Sequence, residues 1–149
     1  KNPPALSFAP LDLSTDVSIS RNLILSFDEP IRKHNDDELT NENINSVVVL
    51  RENSVNGTDL GFNAFINANK TTITLDPDSL FKFEQTYYYG MGEVVEDTSN
   101  NPLPITGATF KSELRPGFTI IPSGGSFSSA MVRQHGTASV AIKARPNPF

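Results

Sequence analysis

Residues 86–104, TYYYGMGEVVEDTSNNPLP, hold three consecutive tyrosines, a valine pair, and then an acidic, asparagine-rich run closed by proline. Two readings compete: an aromatic binding surface beside a reactive loop, or a strand and the corner of a sheet. Side chains on a strand alternate between its two faces, so Tyr87, Tyr89 and Met91 share one face and Tyr88 takes the other. Three rings placed that way form no common stacking platform. Residues 85–95, QTYYYGMGEVV, therefore read as one long strand, and EDTSNN (96–101) as the turn that follows it. In such a turn Asp97 and Asn100 bond backbone N–H groups of their own loop, and asparagine tolerates left-handed backbone.

The same period of two recurs along the chain, and helical periodicity does not. SRNLILSFDEP (20–30) sets Leu23, Leu25 and Phe27 on one face, and Pro30, which has no N–H for a ladder, ends the pairing. INSVVVLREN (44–53) is a second strand, rich in β-branched residues. VNGTD (55–59) carries Asn56-Gly57, the dipeptide that most readily takes the positive φ angles of a tight hairpin turn. GFNAFINA (61–68) and TTITLDP (71–77) make the next hairpin through Asn69-Lys70, with Ile73 and Leu75 facing inward. ITGATFKSE (105–113) turns Phe110 inward, and PALSFAP and DVSIS read as two short edge strands. DDELTNENI (36–44) permits one helical turn at most. These short strands, spaced by Gly, Pro, Asn and Asp, argue for an antiparallel two-sheet sandwich.

Past Glu113 the texture changes. Residues 114–136 are rich in Ser, Gly and Pro and read as a linker or a folded-back loop, and TASVAIKARPNPF (137–149) offers one more strand.

Composition narrows the functions. The 149 residues suit one domain, or a domain with an appendage. A net charge of -5 makes phosphate backbones and anionic membranes poor partners, so neither nucleic-acid binding nor membrane insertion is expected. No apolar run approaches the length of a transmembrane helix. No signal peptide stands at the start, and Lys1 in place of methionine reads as a piece of a longer protein. Cysteine is absent, which removes disulfides, zinc-thiolate sites and thiol nucleophiles together. Tryptophan is absent too, which weakens a sugar-stacking role.

Taken in order, Val17-Ser18, NLILSFDEPI, NENINSVVVL, TTITLDPDS, FKFEQTYYY, VVEDTSNNPL and ATFKSE resemble the pattern of the bacterial Ig-like domain family first recognised in surface-layer proteins, the SbsA-like type. The resemblance covers about residues 3–113 and implies an all-β, Ig-like antiparallel sandwich of about seven to eight strands. Residues 114–149 are then a C-terminal extension, whose ARPNPF resembles the first strand of sorting or anchoring modules. Two departures stand out: Asn100-Asn101 replaces the usual Gly-Asn, and Phe81 and Phe83 stand where leucine and proline are commoner. By position Tyr87 is the tyrosine corner of such a sandwich, its hydroxyl turned back to nearby backbone.

Two loops offer oxygen ligands to a hard cation such as calcium: Asp36, Asp37 and Glu38 in one, and Glu96, Asp97, Ser99 and Asn100 in the other. Solvation and turn hydrogen bonds account for both without an ion, and neither spacing matches an EF-hand. Catalysis finds little support. His34 and His135 lie far apart, no serine stands in a Gly-x-Ser-x-Gly context, and SGGS (123–126) precedes no helix. Asn56 and Asn69 open Asn-x-Thr sequons, which their turn chemistry explains. The expected function is a non-catalytic spacer in a secreted or cell-surface bacterial protein, with neighbouring domains of its own parent chain as partners. Leu25, Phe27, Ile73, Leu75, Tyr87, Tyr89 and Phe110 would lock its sheets. The alternative is a module that binds a glycan or protein through its loops or an open sheet face.

Overall fold

The structure, a computed structural model, describes residues 2–117. The added strand expected within residues 137–149, and most of the extension, lie outside the described residues. The compact unit formed by the rest closes at Leu114.

Strands form where β-branched and aromatic residues alternate, and they assort into two four-stranded sheets and one small one. The first sheet runs in the order β1 (Leu6–Ala9), β3 (Leu23–Phe27), β7 (Thr72–Pro77), β6 (Phe62–Ile66). The second runs β2 (Ser14–Val17), β11 (Gly107–Ser112), β8 (Thr86–Met91), β5 (Val48–Glu52). The small sheet joins β10 (Pro102–Leu103), β9 (Val95–Asp97) and β4 (Ile31–Lys33).

The inward faces supply the core. Leu23, Leu25, Phe27, Ile73 and Leu75 are buried from the first sheet, and Leu50, Tyr87, Tyr89, Met91 and Phe110 from the second. Each such side chain stabilises the fold by about 1.5–3 kcal/mol through burial alone. Aromatic contacts tie the layers: Phe8 meets Tyr89 edge-on at 5.5 Å, and Phe81 lies 4.6 Å from Tyr87 and 5.3 Å from Phe110. Phe81 thus takes up core space where leucine is commoner in the resembling sequences.

The all-β sandwich expected from the sequence forms, and several of its details differ from the sequence reading. The described residues hold eleven strands rather than about seven to eight, because short β4, β9 and β10 form a sheet of their own. The ladder is not wholly antiparallel: β2 and β11 run parallel, with Phe110 opposite Ser14 and Ser112 opposite Val17. The long strand over residues 85–95 is two. β8 ends at Met91, Gly92 donates its N–H to the Val47 carbonyl at 2.8 Å, and β9 starts at Val95 in a different sheet. Asn56-Gly57 makes no tight hairpin. The left-handed residue of that loop is Asn53, at φ 75, and the loop carries the chain from one large sheet to the other. Gly57 serves close approach, because a Cβ there would meet the Glu52 carbonyl oxygen at 1.5 Å. The β6–β7 hairpin forms as read, with Lys70 taking the positive φ, 61°. The helical stretch shrinks to a single 3-10 turn, Ile44–Ser46.

Leu6 pairs with Phe27 at the end of β3, where the chain passes into the small sheet. The last strand ends beside Val17, where Glu113 donates its N–H to the Val17 carbonyl at 2.8 Å and accepts the Ile19 N–H on its side chain at 2.9 Å. Residues 18–22 then lead directly to the start of β3. The chain therefore enters this unit at one end and leaves at the other.

Candidate functional site

The small sheet gathers most of the residues that the sequence marks as reactive. Arg32 and His34 lie two apart on and just past β4, hence on one side of it. Arg32 stands directly opposite Glu96 in the ladder. Its Nε donates to Glu96 Oε1 at 3.0 Å, and His34 Nδ1 lies 2.8 Å from Oε2. Glu96 is only 2% exposed, so both oxygens are met where water is scarce. Burial pushes this carboxyl upward, but the hydrogen bonds from His34 and Arg32, and the Arg32 charge, outweigh it. The net direction is downward from the ordinary 4.5.

Arg32 does more than hold Glu96. Its second guanidinium nitrogen reaches Asp36 at 2.5 Å and also donates to Asn100 Oδ1. Asp36 sits at φ 74, a left-handed turn that folds the loop back over the strand. Asp37 accepts from Asn35 Nδ2 at 2.8 Å, and Glu38 pairs with Lys70 at 3.0 Å. The carboxylates of residues 36–38 thus point to three separate partners.

In the second loop Asp97 is fully buried. Its Oδ1 accepts the N–H groups of Ser99 and Asn101 at 2.7 and 3.0 Å, and Oδ2 accepts Asn101 Nδ2 at 2.8 Å. Asn100 supplies the left-handed residue, φ 69, but its side chain serves Arg32 rather than backbone N–H groups. That departs from the sequence reading of Asn100. Among the described residues no group of three or more acidic or histidine side chains is placed to hold a metal ion.

The tyrosines are committed as well. Tyr87 Oη accepts the Lys82 N–H at 2.8 Å, five residues upstream, and Tyr89 Oη donates to the Pro10 carbonyl. Tyr88 faces the other side of the sheet, yet it too is buried, because its ring lies across Gly107. A Cβ at Gly107 would sit 2.3 Å from Tyr88 Oη. Burial pushes all three phenols above their ordinary value of 10. Phe65, 49% exposed on β6, is the one exposed aromatic side chain among the described residues. No described helix is long and apolar enough to cross a membrane. Of the two histidines, His135 lies outside the described residues and His34 is engaged with Glu96.

Sequence reasoning missed Arg32, the hub of this cluster. The available signal was the spacing Arg32-x-His34 in a segment of period two, which sets a cationic pair on one face opposite an acidic strand. Chemically the cluster is self-contained: buried anions, each met by a cation or by turn amides, clamp three short strands together.

A family model described as bacterial Ig-like domain matches residues 1–112. Among solved structures, CopC from Methylosinus trichosporium OB3b is similar at 11% identity and a TM-score of 0.54, covering 76% of this chain and 97% of that one. The methionine-rich copper resistance protein PcoC from Escherichia coli is similar at 14% identity and a TM-score of 0.53, covering 75% and 99%. The S-layer protein SbsC is similar at 15% identity and a TM-score of 0.51. That match covers 80% of this chain but only 14% of SbsC. At these identities the likeness concerns the fold alone. A comparison with curated proteins finds no match.

Proposed function

Because the chain belongs to the bacterial Ig-like domain family, we propose that residues 3–113 work as a non-catalytic spacer in a secreted or cell-surface bacterial protein, setting the distance and orientation of neighbouring domains. The observation that carries this reading is the internal use, among the described residues, of the tyrosines and charged groups that the sequence marks as candidates. Tyr87, Tyr89, Glu96, Asp97 and Arg32 all bond to the domain itself. Entry and exit at opposite ends suit modules strung in series. The SbsC match supports this reading as well, since a fold of this kind occupies a small part of a much longer chain there.

Retention on immobilised bacterial polysaccharides and glycan arrays tests the proposal. A spacer passes through unretained; selective retention that a Phe65→Ala substitution abolishes would instead establish a binding module. A thermal melt in calcium and in chelator tests the two acidic loops. The expected midpoints coincide, and a higher midpoint in calcium would place an ion there.

A further inference from the structure

β2 and β11 lie side by side and parallel, β2 near the entry of the chain and β11 just before its exit. Phe110 stands opposite Ser14 and Ser112 opposite Val17. Three steps along β2 therefore match two along β11, and Asp16 at φ 59 lies on the longer side. Both ends of this seam are fastened twice. At its start Leu13 N–H donates to the Thr109 carbonyl at 2.6 Å, and Asp12 Oδ1 accepts the Thr109 N–H at 2.8 Å. At its finish Glu113 N–H donates to the Val17 carbonyl at 2.8 Å, and Glu113 Oε2 accepts the Ile19 N–H at 2.9 Å. Each end thus adds a carboxylate to a backbone bond, one from the β2 side and one from the β11 side. Hydrogen bonds to a charged acceptor are about twice as strong as neutral ones.

The direction in which this seam is loaded follows from where the chain enters and leaves. β1 begins at the entry end, pairs antiparallel with β3, and passes the chain to β2 through residues 10–13. The Tyr89 hydroxyl holds that crossing by the Pro10 carbonyl, and Phe8 packs edge-on against Tyr89. Tension at the two ends of the module draws β2 toward the entry end and β11 toward the exit end, so the strands slide past each other. Bonds between strands lie across the direction of sliding, so all of them lengthen together. A slide of about 2 Å carries them past hydrogen-bonding range at the same moment. Strands pulled apart from a shared end lose their bonds one after another instead. The seam also closes a short path: Asp12 and Thr109 are 97 positions apart, and while they stay joined the strands between them are not drawn out.

We infer that the β2–β11 seam is a mechanical clamp, the element that bears tension passed between neighbouring domains of the parent chain. The inference rests on the spacer reading and adds a duty to it, because a spacer at a cell surface keeps its distance only while it stays folded under load. Forced unfolding is set by the unfolding rate rather than by the folding equilibrium, so a clamp can be strong in a module of ordinary stability.

The test is force spectroscopy on the complete 149-residue chain, which has no cysteine of its own, so added thiol handles mark the points of attachment. One form carries a handle at each end. The other carries Asn22→Cys and the C-terminal handle. Asn22 is exposed and follows β2 at the exit end, so pulling there opens the seam from Glu113 backward. Pulling end to end is expected to need several times the force and to release the fold in one step. Equal forces in the two directions overturn the proposal and leave the spacer reading, which polysaccharide retention decides, as it stands. Two substitutions give a second measurement. Asp12→Ala removes a seam bond, whereas Asn67→Ala removes the acceptor of the Thr71 and Thr72 N–H groups, at 2.8 and 2.9 Å, in the β6–β7 turn off the line of load. Both should lower the urea midpoint, and only Asp12→Ala should lower the end-to-end force. An Asn67→Ala chain weakened as far as Asp12→Ala overturns the proposal as well; the comparison of directions needs neither variant.

Discussion

Asp97 holds its turn with one carboxylate that accepts two backbone N–H groups and one side-chain amide, all where water is excluded. Asp97→Ala leaves those donors without that acceptor, at an expected cost of about 3 kcal/mol read as a fall in the denaturant midpoint. Tyr87→Phe removes the acceptor of the Lys82 N–H and is expected to cost about 1 kcal/mol. Tyr89→Phe leaves the Pro10 carbonyl without its donor, at about 1–2 kcal/mol by the same measurement. At this scale alternation was legible: Leu25, Phe27, Ile73, Leu75, Tyr87, Tyr89 and Phe110 all lie buried. The partners of polar side chains were not. Nothing local ties Arg32 to Glu96, 64 residues away, until the small sheet is assembled.

The elements depend on close approaches that single residues allow. Gly90 faces Gly107 across the β8–β11 ladder, and a Cβ at Gly90 would lie 2.4 Å from the Gly107 Cα. Backbone cannot yield as a flexible side chain does, so Gly90→Ala is expected to destabilise by about 1–3 kcal/mol, lowering the melting temperature. The small sheet depends on charge. The Glu96 carboxyl is lowered in the folded state, so the unfolded chain binds the proton more readily below pH 4.5. Its contribution is present above 4.5 and lost as pH falls through the lowered folded value. Glu96→Gln should flatten that part of the acid limb in a series of urea melts. Sequence reading found most strands but merged β8 with β9, because Val94-Val95 after Gly92 looks like a continuation of the strand that ends at Met91. The break is set by a non-local bond, from Gly92 to Val47, that no window over residues 85–95 contains.

Across the whole molecule, three tyrosine hydroxyls are held neutral by burial. Their folded values are raised, so the stability they confer is complete below pH 10 and drains away as pH rises toward those values. Phenolate absorbance is expected to appear in one step, together with loss of the β-sheet circular dichroism signal. Independent titration near 10 with the fold intact would contradict the burial described above. The layered all-β architecture was legible from alternation and turn residues, whereas the parallel β2–β11 pair was not, since it joins the two ends of the module.

That pair reaches across nearly the full length of the domain: Asp12 accepts the Thr109 N–H, 97 positions away. A nascent chain emerging from a ribosome or a secretion pore therefore has no closing partner for β2 until its final strand is out. A chain stopped before Gly107 should remain protease-sensitive, and one carried through Leu114 should resist digestion.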